Sequence, residues 1–358
     1  MISKDIARRV LTVGVQHLPP TGGVSQVIYS YYKYIFPVFN YICTTLVRTS
    51  KWRKLLCLFQ AIAKCMWKLG TDRQLSIVHI HTAARVSFRR KAIFVRIARL
   101  FGRKVVMHIH AGAFIDYYHE DPDFVKRMLL KCDVLIVLSQ LHVPFYRDTV
   151  GHKNIVVINN IIAEPHLSGE PRSATGPLHL LFMGDIKDEK GVFDMVECFD
   201  EHRDEFDGKV VLHICGRGQD ERLRTMIEER NLSSMVVFEG WIENERKDQL
   251  LNQCHINILP SYIEGLPISI LEAMSYGMPI ISTTIGGIPS VVDQDVNGSL
   301  FTPGDKAAMA AAIKHYIDNR KAVAEQGERS RHLSKQYFPD AVATSLEALY
   351  QSMLRADT

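Results

Sequence analysis

The sequence predicts an α/β protein of two doubly wound domains, and three observations predict it. Short apolar runs rich in Val and Ile alternate with amphipathic stretches of helical period along nearly the whole chain. That is the pattern of a parallel sheet covered by helices on both faces. The alternation stops and restarts around "AEPHLSGEPRSATGP", which holds three Pro and two Gly and has no periodicity. Finally, 358 residues with 47% hydrophobic side chains exceed what one typical domain core requires.

In the first half, strands are expected at "RVLTVGV", "SIVHIHT", "KVVMHIHAG", "DVLIVLS" and "NIVVINN". The second half restarts at "LHLLFMGDI" and continues through "KVVLHICGRG", "MVVFEGWI", "HINILPS", "PIISTT" and "GSLFTPG". Near the end, "YFPDAVATSLEALYQSMLRA" places Pro339 at a helix start, followed by apolar residues at helical spacing. It reads as a helix with one buried face. The domains are therefore set at 1–165 and 178–335, with a linker at 166–177 and a closing helix at 336–358. The two domains are expected to face each other across a cleft. Ligands of such sheets sit beyond the carboxyl ends of the strands.

Charge divides the chain as sharply as periodicity does. Residues 1–165 hold 24 Lys and Arg against 9 Asp and Glu, while residues 166–358 hold 19 against 30. Between Arg48 and Lys104 stand fifteen basic residues and one acidic residue, Asp72. Within that block, "SFRRKAIFVRIARLFGRK" spaces Ile93, Phe94, Ile97, Leu100 and Phe101 as one helical face. Such a helix can lie on an anionic membrane surface, so residues 48–104 are a candidate membrane contact; the alternative is an ordinary helix with a solvated basic face. Nucleic acid is not expected, because no groove-reading motif or aromatic stacking platform accompanies the charge. The seven cysteines are scattered without metal-ligand spacing and read as thiols of a reducing compartment. No signal-type apolar segment precedes the first strand, and no window reaches a membrane span. A cytoplasmic protein, peripheral on the inner face of the membrane at most, is expected.

The chemistry concentrates in "SYIEGLPISILEAMSYGMPIIS", residues 261–282. A strand ends in "INILP", a short loop follows, and Pro267 opens a helix expected to run from about 267 to 276. The N–H groups at that helix start favour an anion such as diphosphate. Glu264 and Glu272 flank it; carboxylates would repel phosphate but accept hydrogen bonds from hydroxyls. A nucleoside diphosphate sugar has hydroxyls at both ends and a diphosphate between them.

The segment "EGLPISILEAMSYGMPIISTTIGGIPSVVDQDVNGSLF", with "LLFMGDIKDEKGVFDMVECF", "LHICGRGQDERLRTMI" and "VVFEGWI", closely resembles the C-terminal domain of retaining glycosyltransferases of family 4. These enzymes have the GT-B fold, two Rossmann-like domains. The likeness covers about residues 178–303. In the first half, "PPTGGVSQVIYSYY" resembles the family's glycine-rich loop, and "HIHAGAF" and "DVLIVLS" sit where the family has similar segments. The final helix is similar to one that in the family crosses back to the N-terminal domain.

The resemblance implies roles for particular residues. Glu272 would take the donor ribose hydroxyls and Glu264 those of the transferred sugar. Gly265, Leu266 and Pro267 would line the sugar–diphosphate end through their backbone, and Lys190 would clamp the diphosphate. Gly22 and Gly23 would let the backbone approach the phosphates and the acceptor closely. His110 would sit near the reacting sugar. One departure stands out: "GDIKDEKG" places Asp185 where the family has a second cation. Lys187 and Arg217 are the candidates to replace it, with Asp185 and Arg217 either a charge swap across two strand ends or a local surface pair.

Two H-x-H pairs, in "VHIHT" and "MHIHAG", put both histidines of each pair on one face of a strand. No Cys or carboxylate completes a metal set, so no metal is expected, and His79 and His108 read as structural. The function implied is a retaining hexosyltransferase. It would move a sugar from a UDP- or GDP-linked donor to a glycan or polyprenyl-diphosphate-linked acceptor in surface polysaccharide synthesis, without metal and without a covalent enzyme intermediate. The alternatives are a non-catalytic partner subunit that binds sugar nucleotide or glycan, and a sugar-nucleotide epimerase of the same fold.

Overall fold

A computed structural model describes residues 1–47, 49–110, 112–169, 172 and 175–355. Arg48 of the basic block, Ala111 of "HIHAGAF", Glu170, Pro171, Ser173 and Ala174 of the linker stretch, and residues 356–358 of the closing segment lie outside the described residues. The chain forms two compact units, one of residues 1–163 with 337–358 and one of residues 164–336.

The first unit is built on a six-stranded, all-parallel sheet. Its strands are β1 (Val10–Gly14), β2 (Asn40–Cys43), β3 (Ile77–Thr82), β4 (Lys104–Ile109), β5 (Val134–Val137) and β6 (Ile155–Val157), in the order β2-β1-β3-β4-β5-β6. Every residue of β1, β3 and β5 is buried, as the unbroken apolar runs require of strands covered on both faces. β2 adds a strand to the five expected from sequence. Only Ile42 of its four residues is fully buried, so it lacks the apolar run that marks the others.

The helix Val86–Leu100 covers the sheet with Phe88, Ala92, Phe94, Val95 and Ala98, while Ile93, Ile97 and Phe101 pack against the same core. The apolar face that suggested a membrane contact is thus mostly turned inward. The helix Pro339–Arg355 buries Val342, Leu346, Leu349 and Tyr350 in this unit, against the turn Tyr31–Ile35 and the helix Lys4–Arg9. Each such side chain contributes roughly 1.5–3 kcal/mol on leaving water.

The second unit repeats the plan with β7 (Leu178–Met183), β8 (Val210–Cys215), β9 (Val236–Gly240), β10 (Ile256–Leu259), β11 (Ile280–Thr283) and β12 (Gly298–Phe301), in the order β12-β11-β10-β7-β8-β9. Winding runs outward from β7 through β9 in one direction and from β10 through β12 in the other. The reversal therefore falls between β7 and β10, which pair through Ile256–Leu180 and Asn257–Leu181. The stretch read as a linker is tied to this unit. Arg172 donates to the carbonyls of Gly277, Leu251 and Tyr276, and Asn252 brackets His166 and Ser168. All seven cysteines are free thiols, and no helix among the described residues is long and apolar enough to cross a membrane.

Candidate active site

In the second unit, the residues singled out by sequence gather at the carboxyl edge of the sheet, centred on the reversal between β7 and β10. After β7 the chain makes a short turn, Asp188–Lys190, and then a left-handed residue, Gly191 at φ +66°. A Cβ on Gly191 would stand 2.2 Å from the carbonyl oxygen of Pro260, so only glycine lets this turn close onto the end of β10. The closure carries Lys190 to Glu264: the ammonium donates to Oε1 of the carboxylate. Ser261 Oγ donates to the same oxygen at 2.9 Å. Glu264 is only 9% exposed and Lys190 19%, so this is an ion pair largely removed from water.

The loop that bears Glu264 is held from its other side by two glycines, Gly286 and Gly287, which carry no chemical group to mark them in the sequence. Gly286, at φ +60°, lies so close that a Cβ would come within 1.9 Å of the Glu264 carbonyl oxygen. Gly287 donates its N–H to Gly265 O at 2.6 Å. Below them, Thr283 Oγ1 donates to Ser261 O and Ser282 Oγ to Leu259 O, each at 2.6 Å, locking β11 to the end of β10. The position of Glu264 is therefore fixed by backbone contacts on two sides.

The helix that follows runs Ile268–Ser275, with Pro267 at its N-cap and not within it. It starts one residue later and ends one residue earlier than the sequence suggested, because Pro267 is extended at ψ 125°. Leu266 is buried at the turn. Glu272 lies on this helix and accepts a hydrogen bond from Lys247 at 2.6 Å. Lys247 comes from the helix Asn244–Gln253 after β9 and was not anticipated, since a lysine in the charged run "NERKDQ" has no local mark of such a partner.

Asp185 and Arg217 do not pair with one another. Their backbones are neighbours, since Ile186 N–H donates to Arg217 O at 2.9 Å and Ile186 bridges Gly218. Asp185, which is exposed, instead lies 3.5 Å from the half-buried Lys187. The Arg217 guanidinium stacks 3.8 Å from the centre of the Trp241 ring, whose indole N–H donates to Glu243. Stacking leaves the guanidinium edge, with its N–H donors, directed away from the ring.

Gly22, Gly23 and His110 belong to the first unit, again beyond the carboxyl ends of strands. Gly22 caps the helix Gly23–Ser30 in extended conformation, and a Cβ on either glycine would meet open space. His110 follows β4, and its Nε2 lies 2.9 Å from His81 Nδ1. Burial pushes its pKa down to about 3, opposed by a hydrogen bond with Asn160. It is a neutral imidazole near pH 7, suited to hydrogen bonding and not to carrying a proton.

Behind it, His79, His81 and His108 are fully buried, with ring nitrogens within 4.8 Å of one another. The rings of His79 and His108 are stacked with an interplanar angle of 12°, and those of His79 and His81 with 20°. Each offers a ring nitrogen to that cluster, so the three imidazoles form a candidate ligand set without the Cys or carboxylate that the sequence lacks nearby. His79 Nδ1 is 2.6 Å from the Tyr350 hydroxyl and His79 Nε2 is 3.3 Å from His108 Nδ1. A second buried group, Lys91, donates to Gly14 O at 3.1 Å and to Thr44 Oγ1, where β1 and β2 end. Burial, with Arg90 adding to it, lowers its pKa to about 7.

Two parallel sheets of six strands with flanking helices form the GT-B architecture, with a carboxylate–lysine pair at one sheet's winding reversal and a second carboxylate on the next helix. Residues 165–333 match the profile of the family described as "Glycosyl transferases group 1". It is 26% identical over 313 residues to a glycogen synthase of Mycobacterium tuberculosis (strain CDC 1551 / Oshkosh), covering 81% of this chain and 72% of the relative. To the lipopolysaccharide 1,6-galactosyltransferase of Escherichia coli (strain K12) it is 32% identical over 143 residues, 38% of this chain and 39% of the other. Among solved structures, Anabaena Alr3699/HepE in complex with UDP superposes with a TM-score of 0.75 at 16% identity, over 96% of this chain and 100% of that one. At that identity the likeness concerns the fold.

Proposed function

We propose that this glycosyltransferase is a retaining hexosyltransferase that takes its sugar from a nucleoside diphosphate donor held by residues 178–335. The observation that carries the reading is the pairing of Glu264 with Lys190 and of Glu272 with Lys247 around the start of the helix Ile268–Ser275. A donor's diphosphate supplies the negative charge that Lys190 otherwise finds in Glu264. The carboxylate oxygens are then available to sugar and ribose hydroxyls. Gly265, Leu266 and Pro267 line the anion site at the helix start. Lys187 and the edge of Arg217 supply the positive charge that Asp185 does not, so the leaving diphosphate is stabilised by fixed cations without a metal.

The acceptor falls to the first unit, where the open space at Gly22 and Gly23 admits phosphate or substrate against the backbone and neutral His110 binds a hydroxyl. The acceptor oxygen attacks on the face from which the diphosphate leaves, and a diphosphate oxygen takes its proton. No nucleophile–base pair is needed. The UDP bound by the Anabaena neighbour supports a nucleoside diphosphate donor. The Escherichia coli relative supports a lipid-linked saccharide as acceptor.

The test is a thermal-shift panel of UDP- and GDP-sugars, with and without EDTA, on wild type and Glu272→Ala, followed by NMR of the product's anomeric proton. A selective stabilisation that survives EDTA and is lost in the variant, with the donor's anomeric configuration retained, is expected. Inversion would overturn the mechanism, and no response to any nucleotide sugar would overturn the donor site. Binding without turnover on any acceptor would make the protein a non-catalytic subunit, and product from donor alone an epimerase.

A further inference from the structure

The helix Lys51–Thr71 carries two apolar faces, and only one is used. Ala61, Cys65 and Leu69, four residues apart, are buried in the first unit's core. On another face Trp52, Leu56, Phe59, Met66 and Trp67, also at helical spacing, are all exposed: Trp52 81%, Phe59 62% and Trp67 65%. Large aromatic side chains left in water along one continuous stripe are unusual on a protein surface and mark a contact.

Charge identifies the contact. The 21 residues of this helix include Lys51, Arg53, Lys54, Lys64 and Lys68 and no carboxylate. Among the described residues, Lys51, Arg53, Lys54 and Lys64 make no ion pair. The helix Val86–Leu100 and its N-cap differ: Arg85 pairs with Glu120, Arg89 with Asp121 and Arg99 with Asp133, and Lys91 is buried. Arg85, Arg89 and Arg99 are thereby neutralised, while Arg90 and Arg96 make no ion pair among the described residues. A second copy of the chain is a poor occupant, because a twofold contact through this face would set one cationic helix against another.

We propose that the helix Lys51–Thr71 lies on an anionic lipid surface, with Trp52, Leu56, Phe59 and Trp67 among the headgroups and Arg53 and Lys64, which flank that stripe, on lipid phosphates. Tryptophan suits that interface through its apolar ring and N–H donor, and lysines beside it gain from the negative surface potential. The helix is not apolar enough to cross the bilayer and lies along it. This placement stands apart from the transfer reading, since detecting it needs no donor.

The full chain is mixed with vesicles of phosphatidylcholine containing about 30% phosphatidylglycerol, and with pure phosphatidylcholine. Co-sedimentation with the anionic vesicles only is expected, with a blue shift of tryptophan emission and quenching by brominated lipid. Two of the three tryptophans lie on this helix, so Trp52→Phe with Trp67→Phe should still bind but lose the quenching, because only Trp241 remains. Trp52→Ser with Phe59→Ser should abolish association at an unchanged melting temperature, since both side chains are exposed. Each of Arg53→Glu and Lys64→Glu should weaken partition at least roughly fivefold at low salt. No association with the anionic vesicles, equal association with neutral ones, or wild-type binding by the serine variant would overturn the proposal. A dimer that buries the two tryptophans without vesicle binding would reassign the face to a second copy.

Discussion

Lys190, in the turn after β7, is bonded through its ammonium to the Glu264 carboxylate in the loop after β10. The pair bridges the two strands between which the sheet's winding reverses. With both side chains mostly out of water, neither charge has solvent to fall back on. A ligand that takes one partner must therefore satisfy the other, which couples recognition of an anion by Lys190 to recognition of a hydroxyl by Glu264.

Lys190→Met should weaken nucleoside diphosphate binding ten- to a hundredfold in titration calorimetry, as expected for loss of charge-assisted hydrogen bonds. It should also cost about 3 kcal/mol of stability, because Glu264 is left buried with only Ser261 as a partner. Adding Glu264→Gln should return much of the stability and none of the binding.

Glu272 should separate ribose from phosphate recognition. Glu272→Ala is expected to lower affinity for a nucleoside diphosphate about tenfold or more, and to leave competition by inorganic diphosphate unchanged. An equal loss for both ligands would mean that the Lys247–Glu272 bond shapes the anion site itself.

Gly286→Ala and Gly22→Ala should behave in opposite ways. At Gly286 the added carbon meets the Glu264 carbonyl at 1.9 Å and the backbone is left-handed, so destabilisation of at least about 1–3 kcal/mol and loss of activity together are expected. At Gly22 it meets nothing and φ is extended, so the melting temperature should hold. A rise in KM there would come from crowding of substrate.

The buried histidines make the first unit acid-sensitive. His79 and His110 are held near 3 by burial, and His81 and His108 well below their ordinary value of 6.5. The unfolded chain binds protons below about 6.5 that the folded one does not. Stability should therefore be full above that pH and fall beneath it, by up to about 1.4 kcal/mol per pH unit for each histidine. Urea unfolding at pH 7.5, 6 and 5 checks this, and His79→Gln should flatten the slope.

Lys91 acts in the alkaline range. Its pKa is about 7 when folded against 10.5 ordinarily, so between these values the unfolded chain binds the extra proton and stability should rise with pH. Lys91→Met should remove that rise in denaturant titrations from pH 7 to 10.

The strands other than β2 were legible in the sequence because two-sided burial writes itself as an apolar run, which β2 lacks. Glu264, Gly265, Leu266, Pro267 and Glu272 were legible because they lie together along the chain. What escaped depends on distant partners. Lys247 meets Glu272 from 25 residues away, and Tyr350 bonds His79 from 271 residues away. The helices Lys51–Thr71 and Val86–Leu100 show similar mixtures of apolar and basic residues, and what distinguishes them is the exposed aromatic stripe of the first and the carboxylates folded against the second. Likewise the fate of Arg217 was set by Trp241, an aromatic face on the neighbouring strand end.

The first unit is discontinuous: residues 337–358 complete a core begun by residues 1–163. On the ribosome, the whole of the second unit is synthesised between those two pieces, an interval on the order of ten seconds or more. Through it the nascent first unit has a histidine stack without its tyrosine cover and an apolar surface awaiting Leu346 and Leu349. The second unit, continuous in sequence, can finish first. Synthesis order and the order in which the two cores can close are thus opposite, since the core of the early half awaits the helix Pro339–Arg355.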